Sequence, residues 1–446
     1  MEYQLLLAFL AGISLLLTLI LVFKINAFVS LLMGSIAVGL ISGMSPTHVI
    51  DNIIEGMGNT LGFVAIVVGL GSIIGAILES TGSTEGIARY MLSKLGDSRS
   101  RTALSVAGFL IAIPVFFDVA FIILVPMIYA LRQKSGRSIL YYGLPLLSSL
   151  AVTHAFIPPT PGPIAVADIL GADLGWIILF GFIVGVPTTI IAGMGYGGFI
   201  SGRLSGEGYE EEHDNISRIV PHPPPVGLIL LVIMLPIFLI LSNTITRSIY
   251  GSSDEPILSF VQFIGHPIVA LIITTLLAMV LLGIQYGASK EQLQKVATRS
   301  LGPAGVIILI TGAGGVFKQM LVESGAGSMM AEQVANWNVT PVVLSFVLAL
   351  IVRLLQGSAT VAMITAAGIM APIIGAYELG GQQMALIVLS IAAGATGFSH
   401  VNDSGFWLVN KYLGLTEVDT LKSWTIMSGV ISITAVILIS ILYAIV

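Results

Sequence analysis

Apolar runs occupy 3–23, 26–43, 59–80, 103–131, 139–170, 176–200, 226–242, 264–283, 301–322, 341–374, 385–410 and 423–445. The runs are continuous rather than alternating, which is the pattern of membrane helices and not of a transmembrane barrel. A crossing takes about 20 apolar residues, so the pattern predicts an all-α polytopic membrane protein. Two short amphipathic stretches, near 82–96 and 288–300, interrupt the runs, and 44–58 reads as a polar loop. The run at 1–23 carries Glu2, no basic leader and no small-residue cleavage site, and is read as a retained first helix.

Composition narrows the class further. Hydrophobic residues make up 56% of the 446 and charged residues 9%, against about 25% charged in ordinary soluble domains. Mean hydropathy is +1.01. These values exclude a soluble enzyme, a disordered chain and a nucleic-acid binder. With no cysteine there is no disulfide and no thiolate metal site. Six scattered His residues form no metal motif, so no metal and no cofactor is expected. Short loops without a soluble domain point to a bacterial inner membrane.

One polar linker stands out, at 201–225, with Glu207, Glu210, Glu211, Glu212, Asp214 and then Pro221, Pro223, Pro224 and Pro225. It divides the chain into 1–200 and 226–446, and the halves resemble each other. A shift of 243 sets Gly69 on Gly312, Gly71 on Gly314, Gly82 on Gly325, Gly162 on Gly405 and Leu170-Gly171 on Leu413-Gly414. A shift of 240 sets Val29 on Val269 and Leu61-Gly62 on Leu301-Gly302. Internal duplication is characteristic of secondary transporters.

Basic residues mark the cytoplasmic side. With Met1 outside, Arg89, Lys94, Arg99 and Arg101 fall inside, and so do Arg132, Lys134 and Arg137. The run 103–131 therefore enters and returns, and Ile113-Pro114-Val115-Phe116-Phe117-Asp118 supplies the break. The run 341–374, broken at Gly357-Ser358, is the second such hairpin. On this path fifteen basic residues lie inside, only Arg247 lies outside, and Lys318 and Arg353 lie within the membrane. The expected architecture is about ten transmembrane helices plus two re-entrant hairpins, in two inverted repeats.

Polar residues inside apolar runs are the candidate site, because such groups are costly in lipid. Asp118 sits at the first break, as a proton or substrate group or as a carboxylate capping a positive helix end. His154 precedes a proline-rich break through Pro163 and suits proton coupling; the plain alternative is a His bonded to a neighbouring carbonyl. Arg353 and Lys318 call for anionic partners, either a substrate carboxylate or Asp403 or Glu323. Ser358 and Thr360 lie where a helix restarts, a place that favours anions. Ser399 through Trp407 brings His400, Asn402 and Asp403 into one run, as a site or as a network locking a broken helix. The glycines at 69–75 and 312–315 are not a phosphate loop; they fit close helix packing. No nucleophile–base set or paired-Asp motif for an intramembrane enzyme is present, and midplane breaks favour alternating access over a channel pore.

Three segments carry a family resemblance across essentially the whole chain. Thr153-His154-Ala155-Phe156-Ile157-Pro158-Pro159-Thr160-Pro161-Gly162-Pro163, Gly357-Ser358-Ala359-Thr360-Val361-Ala362, and Ser399 through Trp407 closely resemble the gluconate permease (gluconate:proton symporter) family. The resemblance implies import of sugar acids or related small hydroxy acids, with D-serine an exception within the family. It also implies scaffold and transport domains, elevator-type motion and a homodimer. Within the matching segments it brings Thr160 into the substrate-binding set with Asp118, His154, Arg353, Ser358, Thr360, Asn402 and Asp403. Asp118, His154, His400 and Asp403 are the proton-coupling candidates. Two residues depart from the pattern: Thr160 stands where gluconate carriers often have His, and Ser404 where they often have Pro. Another small carboxylate, or sodium coupling, is the alternative within transport.

Overall fold

The computed structural model describes every residue except Met1, 205–217, 252–254, 328, 330–338, 376 and 378. The acidic part of the expected linker, Glu207 to Asp214, lies outside the described residues. In chain order the helices are α1 (Glu2–Leu21), α2 (Ala27–Ile41), α3 (Pro46–Ser80), α4 (Ser83–Leu95), α5 (Ser100–Ile111), α6 (Phe117–Ser135), α7 (Ile139–Phe156), α8 (Pro161–Leu170) and α9 (Leu174–Ser201). After the linker come α10 (Val226–Tyr250), α11 (Pro256–Ile264), α12 (Pro267–Tyr286), α13 (Lys290–Glu323), α14 (Pro341–Gln356), α15 (Ala359–Ile374), α16 (Gly381–Thr396), α17 (Ser404–Leu413) and α18 (Glu417–Tyr443). No strand occurs among the described residues. Eight helices are long and apolar enough to cross a membrane, counting the broken 139–170 run as one, and four shorter apolar helices accompany them.

The polar stretch 44–58 is not a loop. Ser45 caps the helix by accepting from the His48 N–H at 3.3 Å, Pro46 occupies the first turn, and α3 runs 35 residues. At 1.5 Å per residue that is about 52 Å, well beyond a hydrocarbon core of about 30 Å. The polar residues there alternate with buried Val49, Asn52, Gly56 and Thr60, spaced three or four apart. A helical face with low average hydropathy is invisible to a search for apolar runs. In the same way the amphipathic 288–300 stretch and the 301–322 run join into α13, started by a reciprocal Ser289/Gln292 cap and continuing through Pro303. The short α11 was not expected from the apolar pattern.

α3 and α13 cross closely because glycines remove side chains from the contact. A Cβ on Gly56 would lie 2.9 Å from the Val316 backbone, and one on Gly315 would lie 2.0 Å from the Thr60 hydroxyl. The same glycine face of α3 meets both breaks of the first half. A Cβ on Gly75 would stand 2.3 Å from the Pro114 carbonyl, and one on Gly71 would stand 3.1 Å from that of Pro159. The small-residue packing expected of Gly69–Gly75 and Gly312–Gly315 is what these stripes do.

The run 103–131 does turn back. α5 ends at Ile111, the chain turns through Pro114, and α6 begins at Phe117. Lys134 reaches Asp97 at 2.6 Å, so the start of α5 and the end of α6 lie at one end of the molecule. α14 and α15 likewise pack on each other around Gly357, whose φ is +92°. A Cβ there would lie 2.2 Å from the Asn402 carbonyl oxygen, so only glycine lets this break pass the α16–α17 break.

Candidate functional site

Four helices begin at one place. Phe117 and Asp118 open α6, Gly162 lies in the first turn of α8, Ala359 and Thr360 open α15, and Ser404 and Gly405 open α17; all of these line one cavity of about 240 Å³. The first turn of each helix carries N–H groups without intrahelical acceptors and the positive end of the helix dipole. The cavity therefore has a positive backbone field from four directions. Such a site favours an anion.

Charged side chains complete the cavity wall. Arg353, 4% exposed, donates from Nη2 to Asp403 Oδ2 at 2.5 Å. Ser399 Oγ donates to the same oxygen at 2.5 Å and in turn accepts from Trp424 Nε1 at 2.7 Å. Asp403 Oδ1 accepts the Gly405 N–H at 3.2 Å and so caps α17. Asp403 is thus held by three elements and orients Arg353. The other guanidinium amine, Nη1, is buried with no hydrogen-bond partner among the described residues, and so is Nδ1 of His154. Asp118 faces the cavity with no hydrogen bond or ion pair among the described residues, and its charge interacts with that of Asp403. A buried donor without a partner is costly, so the unmet Arg353 amine is able to take an oxygen acceptor.

Of the expected residues, Asp118, His154, Arg353, Ser358, Thr360 and Asp403 are brought together on this cavity. Three others lie elsewhere. Thr160 is buried and donates to the Ile157 carbonyl at 2.8 Å. Asn402 Nδ2 donates to the Leu354 carbonyl at 3.0 Å, and His400 Nε2 lies 3.0 Å from the same oxygen. These two side chains meet carbonyls that the end of α14 leaves free. Lys318 pairs with neither Asp403 nor Glu323; its electrostatic partner is Asp168 on α8, a carboxylate the sequence reading passed over. Trp424 was also missed. It lines the cavity and stacks on Phe117 at 5.7 Å between centroids. Its only sequence signal is its place in a run just after Lys422, in a stretch that forms a wide π turn. Such turns cluster at functional sites.

Long apolar helices, two midchain reversals and a polar cavity walled by four helix starts define a polytopic membrane transport protein. Comparison with known proteins agrees. Residues 4–446 match the family described as GntP family permease. The low-affinity gluconate transporter of Escherichia coli K12 is 38% identical over 427 residues, covering 94% of each chain. The Gnt-II system L-idonate transporter of the same strain is 35% identical over 427 residues, covering 95% of each. The solved YdaH transporter of Alcanivorax borkumensis shares the fold, with a TM-score of 0.65 at 13% identity over 94% of this chain and 98% of that one. The chain belongs to the GntP permease family, and it is a carrier rather than an enzyme.

Proposed function

We propose that this protein imports a sugar acid, gluconate or a close relative such as idonate, across the bacterial inner membrane by proton symport. The observation that carries the reading is the four-helix-start cavity with its charge count. Asp118 and Asp403 bring two negative charges and Arg353 one positive charge, so the side chains sum to −1. A substrate carboxylate at the free Arg353 amine adds another. Two carboxylates and an anion in one small cavity repel, and a proton on Asp118 relieves that repulsion. Substrate and proton then favour each other's binding, which is the thermodynamic content of symport. Ser358, Thr360 and His154 are positioned to meet hydroxyls of the same ligand. Thr160, Asn402 and His400, whose side chains meet backbone carbonyls, take structural roles in this reading.

The same proposal covers the architecture. Under the 243 shift α8 (161–170) falls on α17 (404–413), and left-handed Gly171 and Gly82 fall on left-handed Gly414 and Gly325. The pair α5–α6 corresponds to α14–α15. Ten crossings and two re-entrant hairpins follow, five crossings per half, with the halves 1–200 and 226–446 inverted and 201–225 a cytoplasmic joint. The crossed α3 and α13 suit a scaffold, and the helices around the cavity suit a moving domain, so alternating access is of the elevator type. The family resemblance supports a homodimer.

The test is uptake by proteoliposomes under an imposed pH gradient, with gluconate, other aldonates, glycerate and D-serine as the panel. The expected result is uphill accumulation of an aldonate that a protonophore abolishes, and loss of accumulation with retained binding in Asp118→Asn. Accumulation that follows sodium and ignores pH refutes the coupling, and failure to take up any sugar acid refutes the substrate class.

A further inference from the structure

A second and larger cavity, of about 630 Å³, adjoins the first, and Phe116 lines both. Its walls are the last turns of α3, the break before α6 and the first half of α13. Its end is closed by Ile219, whose N–H donates to the Ser80 carbonyl at 3.0 Å, beside the Arg218–Glu85 ion pair. The charge balance differs from that of the first cavity. Lys295 and Arg299 supply two positive charges, Glu79 one negative charge, and Glu291, bonded to Lys295, a second, so the local sum is zero. Lys295 is held by Glu291 at 2.9 Å, an exposed pair one helical turn apart. Arg299 has no ion-pair or hydrogen-bond partner among the described residues. Gln292 and Ser300 add neutral polar groups along the same wall.

We propose that this cavity is a second, weaker binding station for the substrate carboxylate on its way to the cytoplasm, with Arg299 as its principal contact and Phe116 as the partition between stations. The inference rests on the transport reading above. Loss of the proton from the first cavity returns its side chains to −1, while the adjoining cavity is locally neutral and keeps Arg299 unpaired, so the anion moves toward Arg299. The neutral amide and hydroxyl of Gln292 and Ser300 suit the hydroxyls of an aldonate. The orientation is that of the basic ends of the helices: Arg89, Lys94, Lys290 and Lys295 share this side.

The experiment uses the full-length protein in liposomes of zwitterionic lipid with radiolabelled gluconate, measuring half-saturation separately from the external and the cytoplasmic face. Arg299→Gln is expected to raise the cytoplasmic value about two- to fivefold, the range for a largely exposed charged contact, and to leave the external value unchanged. Arg299→Lys is expected to restore most of it. Arg353→Gln, by contrast, raises both values. An unchanged cytoplasmic value, or an equal rise on both faces, overturns the proposal. A rise that appears only with anionic lipid also overturns it, by assigning the basic wall to a lipid headgroup. If the unaltered protein moves gluconate yet these variants fail, the transport reading stands alone; if it moves no sugar acid, both fall.

Discussion

Arg353 and Asp403 form a buried ion pair on the wall of the proposed site, and separating a structural from a binding role is the sharpest test of the cavity. Asp403→Asn keeps the side chain's shape and its ability to cap α17, since Asn and Asp are equal there. What it removes is the charge opposite Arg353, which is 4% exposed. A buried cation left without its partner costs about 3–5 kcal/mol. Arg353→Gln is milder, because Asp403 keeps Ser399 Oγ at 2.5 Å and the Gly405 N–H at 3.2 Å; one lost charged hydrogen bond costs about 1.5–3 kcal/mol. The double variant removes both charges and is expected to be more stable than Asp403→Asn alone. Binding follows a different order. The free Nη1 amine is the proposed carboxylate contact, so Arg353→Gln and the double variant both lose about 1.5–3 kcal/mol of substrate affinity, roughly 10- to 150-fold in Kd. Thermal unfolding in detergent reads the first quantity and equilibrium binding of labelled gluconate the second. A double variant no more stable than Asp403→Asn refutes the pairing. Unchanged affinity in folded Arg353→Gln assigns the arginine to structure alone.

Two further predictions test the path of the chain. Ser98→Cys and Ser135→Cys, introduced singly into this cysteine-free sequence, are expected to label with an impermeant maleimide from the cytoplasmic face only; labelling from opposite faces refutes the first hairpin. Gly357→Ala places a Cβ 2.2 Å from the Asn402 carbonyl oxygen at a φ of +92°, and a strained residue of this kind costs about 1–3 kcal/mol; a melting temperature equal to that of the unaltered protein refutes the close passage of the two breaks.

The cavity was legible in sequence because its members share one anomaly: Asp118, Arg353, Ser358, Thr360 and Asp403 are polar residues beside interruptions of apolar runs. Lipid makes such residues expensive, so each needs a reason. The sequence does not say which reason applies. Each interruption also frees backbone carbonyls, and Thr160, Asn402 and His400 satisfy those carbonyls instead of facing the cavity. Partner choice was equally hidden. Lys318 lies five residues from Glu323 in sequence, yet its electrostatic partner is Asp168 on α8, a helix that packs across α3 and α13. Extent was misjudged where polarity and helicity coincide, as over 46–58, because the buried face of α3 there is marked by spacing and not by hydropathy.

The placement of Asp118 bears most directly on coupling. Asp403 is bonded to Arg353, Ser399 and Gly405 and lies 12% exposed, so gaining or losing a proton there disturbs α17 and the arginine together. Asp118 makes no hydrogen bond among the described residues and is open to the cavity. It occupies the second position of α6, as Thr360 does in α15. The two reversals thus present equivalent first turns to one ligand space, one with a carboxylate and one with a hydroxyl. If both turns carried hydroxyls, four helix starts and Arg353 would hold an anion with no need of a proton. If both carried carboxylates, the cavity would repel an anion at every step. With Asp403 tied to Arg353, Asp118 is the one unpaired carboxylate of the cavity among the described residues, which suits the proposed site: an anion is to be accepted when Asp118 is protonated and released when it is not. That asymmetry between the two reversals is what the proposed symport needs to tie the substrate's movement to the proton's.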